Sequence, residues 1–246
     1  MLVDIHAHLH FKEFENDLDE VIERARKAGV TTIINSGTSS ESNKLSLELS
    51  KKYDIVKPSF GLYPIEALSL NVEKELEYIK KNKNNIIAIG EVGLDYQESE
   101  DRKMQKEIFI KIIELAEKIK KPLILHTRKA EADVLEILES AKIKNAILHC
   151  FSGNMKLVNK AHGLGCYFSI PPVIARLEHF QSLVKLIPST RLLTETDSPY
   201  LSPIKEKRNE PANVKKSVEE ISKIKKIEYE EAEKIIFSNF QKIFLK

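Results

Sequence analysis

A length of 246 residues is long for one β-sandwich and close to the roughly 250 residues of a single (β/α)8 barrel. Hydrophobic residues make up 42% of the chain and charged residues 31%, an ordinary balance for one domain with its own core. The formal net charge of +2 does not require a polyanionic partner, although it is compatible with a local basic patch.

Cysteine content and the first residues bear on the location of the protein. The two cysteines, Cys150 and Cys166, are too few for a disulfide framework and favour a reducing cytoplasm. Residues 1–6 do not begin a cationic segment followed by an apolar one, so we expect no signal peptide. No apolar run approaches the roughly 20 residues that cross a bilayer. We therefore expect a cytoplasmic protein without a membrane partner.

Short apolar or β-branched runs alternate with longer stretches of helical periodicity along the whole chain. Eight runs are typical of strands, at residues 2–5, 31–35, 56–60, 86–89, 122–125, 145–148, 166–170 and 191–193. Nine stretches are typical of helices, at residues 18–28, 39–52, 72–81, 101–120, 130–141, 155–163, 178–186, 213–225 and 228–244. Such alternation implies parallel strands. Since no linker is present, we predict a single α/β domain over residues 1–246, a (β/α)8 TIM barrel rather than an open doubly wound sheet.

Six reactive side chains lie at or just after the carboxyl ends of predicted strands. They are His6 and His8 (first strand), Glu91 (fourth), His126 (fifth), His149 (sixth) and Asp197 (eighth). Barrel enzymes carry their catalytic residues at this face. Imidazole and carboxylate ligands together are typical of Zn, Mn or Mg hydrolytic centres, and six ligands exceed the four of a closed structural zinc site. The pattern therefore predicts a metal-dependent hydrolase.

Strand parity relates these ligands to their neighbours. His6 and His8 are two residues apart, so on a strand both imidazoles face the same side. Asp4 shares that parity and is a candidate to orient a ligand. Cys150 has the opposite parity to His149, so we expect it to pack outward against helices.

Three carboxylates, of Glu91, Glu195 and Asp197, follow apolar strands. Burying an ionised Glu91 at a barrel mouth would be energetically unfavourable unless the carboxylate is paired or bound to metal. The sequence leaves two interpretations, a salt bridge to a lysine and a carboxylate that bridges two cations. Glu195 shares the parity of Asp197, and we expect it to support the site through an ion pair. Asp197 lies nearer the mouth and is the better candidate for chemistry.

Motifs along nearly the whole chain resemble those of the TatD-type deoxyribonucleases of the amidohydrolase superfamily. They are Asp-Ile-His-Ala-His-Leu (4–9), Gly-Glu-Val-Gly-Leu-Asp-Tyr (90–96), His-Thr-Arg (126–128), His-Cys-Phe-Ser-Gly (149–153), Glu-Thr-Asp-Ser-Pro-Tyr-Leu (195–201), Arg-Asn-Glu-Pro (208–211) and Asn-Phe-Gln-Lys-Ile-Phe (239–244). The resemblance implies a TIM barrel, two divalent ions (Mg²⁺, Mn²⁺ or Zn²⁺) and 3′→5′ exonuclease or related phosphodiesterase activity on DNA. It implies that one ion binds His6, His8 and Asp197, that the other binds His126 and His149, and that Glu91 bridges them.

One motif departs from the family pattern. The family usually has Gly-x-His-Pro after the third strand, whereas this chain has Gly-Leu-Tyr-Pro at residues 61–64. A phenol, Tyr63, therefore replaces an imidazole at the rim. Any proton-transfer or substrate-contact role of that histidine is in doubt, while the six implied ligands are unaffected.

Further residues are candidates for contact with substrate. We expect Asp197 to position the attacking water and to accept its proton. The planar guanidinium groups of Arg128 and Arg208 suit phosphate, or else form surface ion pairs. The side chains near strand ends that suit stacking on an unpaired base, or else simple packing, are Tyr63, Tyr96 and Phe151.

Three functions remain compatible with the sequence. The first is hydrolysis of DNA, or of RNA. The second keeps the metal ions and acts on an amide, ester or lactone, since an activated water attacks carbon or phosphorus alike. The third is a barrel that only binds a partner, which the complete ligand set disfavours.

Overall fold

Eight parallel strands pair in chain order in the computed structural model, which describes residues 1–245. They are β1 (Leu2–Ala7), β2 (Val30–Ser36), β3 (Val56–Phe60), β4 (Ala88–Gly93), β5 (Leu123–His126), β6 (Ile147–Leu148), β7 (Tyr167–Ile170) and β8 (Leu192–Thr194). Each strand pairs in parallel with the next one along the chain. The predicted (β/α)8 barrel is confirmed.

Helices connect the strands and cover the outside of the barrel. They are α1 (Leu18–Lys27), α2 (Ser40–Lys52), α3 (Pro64–Ala67), α4 (Val72–Lys81), α5 (Arg102–Ile119), α6 (Glu131–Ser140), α7 (Met155–Gly163), α8 (Glu178–Leu186), α9 (Val214–Lys225) and α10 (Tyr229–Phe244). The nine predicted helices are present to within one residue at each end. The additional helix, α3, is too short to show a periodic apolar pattern. Within residues 1–245, no helix combines the length and apolar character needed to span a membrane.

Two strands extend at least two residues further toward the mouth than their apolar runs predict. β4 was expected at residues 86–89 but spans Ala88–Gly93, and β1 continues to Ala7. The added residues are polar in part, yet β4 keeps its pairing with β5 as far as Gly93. Glu91 and His6 therefore lie inside strands, where the backbone is held on both sides, rather than in the loops that follow.

The barrel closes between the loop after β8 and the end of β1. The backbone N–H of Asp197 donates to the carbonyl of His6 at 2.9 Å, and that of His8 donates to the carbonyl of Ser198 at 2.8 Å. Ala7 and Ser198 form a parallel bridge there. The hydrogen bonds that close the barrel thus also hold Asp197 beside the two histidines of β1.

Gly61 marks a close approach of backbone segments just below the mouth. A Cβ at this position would lie 2.2 Å from the nitrogen of Glu91 and 2.3 Å from the carbonyl oxygen of Gly37. The side chain of Asn43 fixes the segment, since its amide nitrogen donates to the Gly61 carbonyl and its oxygen accepts from the Gly61 N–H, both at 2.9 Å. Only glycine lets β3 and β4 approach in this way, which sets the position of Glu91.

We expect Gly61→Ala to lower the free energy of unfolding by about 1–3 kcal/mol, the usual cost of overpacking, because backbone atoms cannot move aside as a flexible side chain can. Gly163→Ala is the matched control. A Cβ there meets nothing within 4 Å, so that variant is expected to be neutral or stabilised by up to about 1 kcal/mol. Urea unfolding of both variants measures the difference, and equal unfolding midpoints would contradict the close approach at Gly61.

Candidate metal centre

Six side chains from five strand ends meet at the carboxyl-terminal mouth of the barrel. They are the six that the sequence singles out: His6, His8, Glu91, His126, His149 and Asp197. Parallel strands all end at the same rim, so residues up to 191 positions apart in sequence come together there. Imidazoles and carboxylates are adjacent in this cluster, and four of the six side chains are more than nine-tenths buried, while those of His126 and Asp197 are 14% exposed.

Glu91 lies at the centre of the cluster with one oxygen on each side. Its Oε2 atom is 3.5 Å from Nε2 of His6 and 3.3 Å from Nε2 of His8. Its Oε1 atom is 2.7 Å from Nδ1 of His126 and 3.1 Å from Nε2 of His149. Each carboxylate oxygen therefore faces its own pair of imidazoles, as a carboxylate between two cations would.

Asp197 completes the group around the β1 histidines. Its Oδ1 atom is 3.6 Å from Nε2 of His6 and 3.6 Å from Nε2 of His8. The ligand atoms of His6, His8 and Asp197 all lie within 4.8 Å of one another, as do those of Glu91, His126 and His149. The cluster thus divides into two adjoining groups, and each of them can hold a cation.

The donor atoms fit divalent cations on chemical grounds. Ring nitrogens face each other at 3.1 Å between His6 and His8, and at 3.3 Å between His126 and His149. At most one proton fits between two such nitrogens. Each pair of imidazoles therefore has at least one nitrogen lone pair directed into the cluster. Burial that concentrates nitrogen and carboxylate donors in this way is typical of metal sites.

The electrostatics of the cluster keep its carboxylates ionised. Burial raises the pKa of Glu91, but the surrounding imidazoles, His149 foremost, outweigh burial and hold that pKa well below its usual range. Burial likewise raises the pKa of Asp197, and the neighbouring imidazoles, His8 foremost, outweigh burial, so that this pKa is also lowered. Both groups are therefore available as anionic ligands or proton acceptors at neutral pH.

Ser36, at the end of β2, orients the β1 histidines. Its backbone carbonyl lies 2.9 Å from Nδ1 of His8, and its hydroxyl lies 3.1 Å from Nδ1 of His6. A carbonyl can only accept, so Nδ1 of His8 carries the proton and Nε2 presents its lone pair to the cluster. Sequence reasoning missed Ser36, because nothing in its local sequence distinguishes it from other strand-end serines.

Asp4 has a different role from the expected one. Its carboxylate accepts from the backbone N–H of Thr196 at 2.8 Å and from the Thr196 hydroxyl at 2.5 Å. Burial raises the pKa of Asp4 to about 8, even though the Thr196 hydrogen bonds act to lower it. Asp4 thus fixes the chain beside Asp197 and does not contact an imidazole, which Ser36 orients instead.

Glu195 supports the opposite side of the cluster. One of its oxygens accepts from the backbone N–H of Cys150 at 2.7 Å, and the other accepts from the hydroxyl of Ser169 at 2.7 Å. The second oxygen also lies 3.6 Å from Nδ1 of His149. Glu195 therefore faces the cluster, as its shared parity with Asp197 predicts, and supports His149 from behind.

Cys150 lies at the cavity and does not pack outward as strand parity predicts. β6 ends at Leu148, and the backbone turns at Cys150 with a φ of +43°. Alternation of side chains holds only within a strand, so the parity argument fails at Cys150, two residues beyond the end of β6.

A cavity of about 680 Å³ opens above the cluster. Its walls include one polar side, with Arg128 and Glu98, and one aromatic side, with Phe11 and Tyr200. Phe11 stacks on the His8 ring with centroids 4.8 Å apart, and Tyr200 meets Phe11 edge-on at 6.1 Å. Phe11 and Tyr200 were missed as candidates, although Tyr200 lies within a motif quoted above.

The two candidate arginines occupy different places. Arg128 lines the cavity, and its Nη1 atom donates to Glu98 at 2.9 Å. Arg208 binds both oxygens of Asp17, at 2.8 and 2.6 Å, and its guanidinium lies over the ring of Phe14. It is not among the described residues that line the cavity. The structure thus gives Arg208 the surface ion pair and leaves Arg128 as the candidate for a phosphate.

The three candidates for base stacking also occupy different places. Tyr63 lines the cavity. Phe151 is 1% exposed and packs against Phe168, and the Tyr96 hydroxyl donates to Asp133 at 2.7 Å. Neither of the last two is among the described lining residues. For Phe151 and Tyr96 the structure therefore favours the packing alternative, because proximity to a strand end in sequence does not decide which way a ring points.

A (β/α)8 barrel with clustered histidines and carboxylates at its mouth is the architecture of a metal-dependent hydrolase. The family model described as TatD related DNase matches residues 3–245, and the chain belongs to this family. It is 43% identical over 245 residues to the uncharacterized metal-dependent hydrolase MJ1582 of Methanocaldococcus jannaschii, covering 98% of this chain and 96% of that protein. It is 34% identical over 260 residues to the human deoxyribonuclease TATDN3, covering 100% and 95%. The crystal structure of the Escherichia coli TatD homologue YjjV superimposes with a TM-score of 0.92 at 23% identity, covering 100% of this chain and 98% of that one.

We expect Mn²⁺ to raise the melting temperature, because an ion that binds only the folded state stabilises it. At a hundred times the Kd, one ion contributes about 2.7 kcal/mol, and each kcal/mol is worth about 2–4 °C in a domain of this size. The double variant His6→Ala/His8→Ala should lose most of the rise. His162→Ala, on α7 and away from the mouth, should keep it. Differential scanning calorimetry with and without Mn²⁺ measures the shift, and equal shifts in all three proteins would exclude the cluster as the ion site.

Proposed function

We propose that the protein is a two-metal phosphodiesterase that removes nucleotides from the 3′ ends of DNA. The observation that carries the proposal is the placement of Glu91, with one oxygen toward His6 and His8 and the other toward His126 and His149. Relatives named deoxyribonuclease support the choice of substrate. We retain cytoplasmic location as a prediction.

In this proposal His6, His8 and Asp197 hold one ion, His126 and His149 hold the other, and Glu91 lies between them. Two divalent ions supply charge stabilisation at the phosphoryl oxygens and acidify a water molecule. Mg²⁺, Mn²⁺ and Zn²⁺ all accept such mixed nitrogen and oxygen donors.

Asp197 is the proton acceptor in this mechanism. Its pKa is lowered, so it is ionised at neutral pH and can take a proton from the attacking water. The water oxygen bonds to phosphorus, the bond from phosphorus to the 3′ oxygen of the preceding nucleotide breaks, and a proton passes to that oxygen. Asp197 lines the cavity, and its backbone is anchored to β1, so the carboxylate keeps its position during the step.

The two walls of the cavity suit the two parts of a nucleotide. The Arg128 guanidinium can bind a phosphate oxygen through its fork of donors. Tyr200 is 53% exposed and Phe11 lies against it, which gives a nucleobase an aromatic surface for stacking. We propose that Phe11, Tyr200 and Tyr63 form the surface that receives the terminal base.

A second candidate function is hydrolysis of an amide, ester or lactone. The observation in its favour is the charge of the cavity wall. Among the described lining residues, Arg128 is the sole Lys or Arg, whereas Glu66 and Glu98 add negative charge. A small uncharged carbonyl substrate would meet less repulsion there than a long polyanion.

We expect Asp197→Asn to lower kcat for release of mononucleotides about 10²–10⁴-fold, the usual contribution of a general base. The amide keeps an oxygen at the same place but does not accept the proton. The assay uses end-labelled single-stranded DNA with Mg²⁺ or Mn²⁺, and the metal content of each protein is determined in parallel. Equal rates for wild type and variant, at equal metal content, would refute this role.

The same assay run with RNA and with a panel of esters, amides and lactones separates the two functions. Under the leading proposal, DNA is cleaved with the higher kcat/KM. Cleavage of the carbonyl substrates alone would replace it with the second candidate.

We expect Arg128→Ala to raise KM for DNA roughly 10–100-fold with a smaller change in kcat, since a hydrogen bond to a charged group is worth about 1.5–3 kcal/mol. Arg208→Ala is the matched control, because it too removes an arginine paired with a carboxylate but lies outside the cavity. Steady-state kinetics measure both. Equal KM changes in the two variants would exclude Arg128 as the phosphate contact.

A further inference from the structure

We propose that Tyr63, through Asp95, positions His126 as a ligand, and thereby sets the affinity of the ion held by Glu91, His126 and His149. We name that place the His126 site. The inference rests on the proposed two-metal function. Tyr63 stands where the family resemblance leads us to expect a histidine.

Asp95 is the residue through which Tyr63 acts. It is fully buried in the loop after β4, and its Oδ1 atom accepts from the backbone N–H groups of Gln97 at 2.8 Å and Glu98 at 3.1 Å. Its backbone N–H donates to the side chain of Gln105 at 2.8 Å. These bonds hold the carboxylate in one orientation and leave Oδ2 directed at the cluster.

Oδ2 of Asp95 lies 3.0 Å from Nε2 of His126. The Asp95 carboxylate accepts from the backbone N–H groups of Gln97 and Glu98 and from the Tyr63 hydroxyl. It therefore acts as an acceptor toward His126 too, so Nε2 is the nitrogen that carries a proton. Nδ1 is then directed at Glu91, 2.7 Å from its Oε1 atom. Asp95 therefore selects which nitrogen of His126 is offered to a cation, as carboxylates behind ligand histidines do.

Tyr63 holds both members of this pair. Its hydroxyl donates to the same Oδ2 atom of Asp95 at 2.6 Å, and its ring meets the His126 ring edge-on, with centroids 5.0 Å apart at 66°. The backbone N–H of Tyr63 donates to the carbonyl of Thr38 at 2.8 Å. Tyr63 is thus anchored at its backbone, fixes the Asp95 oxygen by hydrogen bonding, and limits rotation of the imidazole by contact.

The same geometry excludes a proton-transfer role for Tyr63. Its hydroxyl proton is directed at Asp95 and is therefore not presented to a substrate in the cavity. Tyr63 is therefore a positioning residue rather than an acid or base for the substrate. A phenol reaches Asp95 here while its ring packs against the ligand, so one side chain restrains two neighbours.

The chain contains a matched control for this arrangement. Tyr96 also donates its hydroxyl to a carboxylate, Oδ2 of Asp133, at 2.7 Å, and it is also partly buried. It is not among the described residues that line the cavity. Tyr63→Phe and Tyr96→Phe therefore remove the same atom from the same kind of hydrogen bond, at the metal cluster and away from it.

The test is calorimetric titration of metal-free protein with Mn²⁺, with bound ions counted by elemental analysis. Wild type and Tyr96→Phe are expected to bind two ions with the same two affinities. Tyr63→Phe is expected to bind one ion as tightly as wild type and the other roughly 10–100-fold more weakly. Asp95→Asn, which replaces a charged acceptor with a neutral one of the same shape, is expected to weaken the same ion. Melting temperatures without metal establish that each variant is folded.

The possible failures of the test are distinct. If wild type binds fewer than two ions, the proposed two-metal function falls and the inference falls with it. If wild type binds two ions and both Tyr63→Phe and Asp95→Asn bind them with unchanged affinities, the inference alone is overturned. A loss of affinity in Tyr96→Phe equal to that in Tyr63→Phe would also overturn it, since the effect would then not come from the His126 site.

Discussion

The buried carboxylate of Glu91 is the constraint on which the rest of the mouth depends. An ionised group in the interior is unfavourable unless it is paired and hydrogen-bonded, and Glu91 is 5% exposed. Four imidazoles compensate it, at distances of 2.7 to 3.5 Å. Its backbone is equally constrained, since the N–H donates to Gly37 at 3.1 Å and the carbonyl accepts from Leu62 at 3.1 Å. The charge and the close packing at Gly61 together fix one position for the central ligand.

Around that centre, a different oxygen lies behind each of three ligand histidines. The carbonyl of Ser36 serves His8, and the carboxylate of Asp95 serves His126. Glu195 lies close to His149, although at 3.6 Å it is further away than a hydrogen bond. The acceptors behind His8 and His126 select the nitrogen that each of these two rings presents and keep the ring from turning. The rigidity of the site therefore comes from side chains outside the ligand set, carried by the strands and by the loops that follow them.

The cavity above the cluster is built from two kinds of element. The metal-binding end is built from strand ends, which the barrel fixes, whereas the walls come from loops, which vary independently. Here the loop after β1 contributes Phe11 and the loop after β8 contributes Tyr200. Membership of the family accordingly establishes a metal-dependent hydrolase, and the walls of this particular cavity carry the argument about what it hydrolyses.

The sequence by itself determined the architecture and the six side chains that meet at the mouth. Alternating periodicities specify elements of βα type, and polar residues at the ends of apolar strands must converge at one rim once the strands run parallel. His6 and His8 also show that parity predicts which side chains share a face within a strand. The same rule failed at Cys150, which lies beyond the end of β6, because a turn rather than a pleat directs its side chain.

Only the tertiary structure decided which polar groups are already paired. Arg208 binds Asp17, 191 positions away in sequence, and Tyr63 binds Asp95, 32 positions away. Such pairs depend on loop paths and on the depth at which each strand ends, and neither of these has a local sequence signal. Sequence therefore specifies which groups reach the mouth, because that follows from periodicity. The folded chain specifies which of them remain free to act, because that follows from distances between segments that local periodicity does not encode.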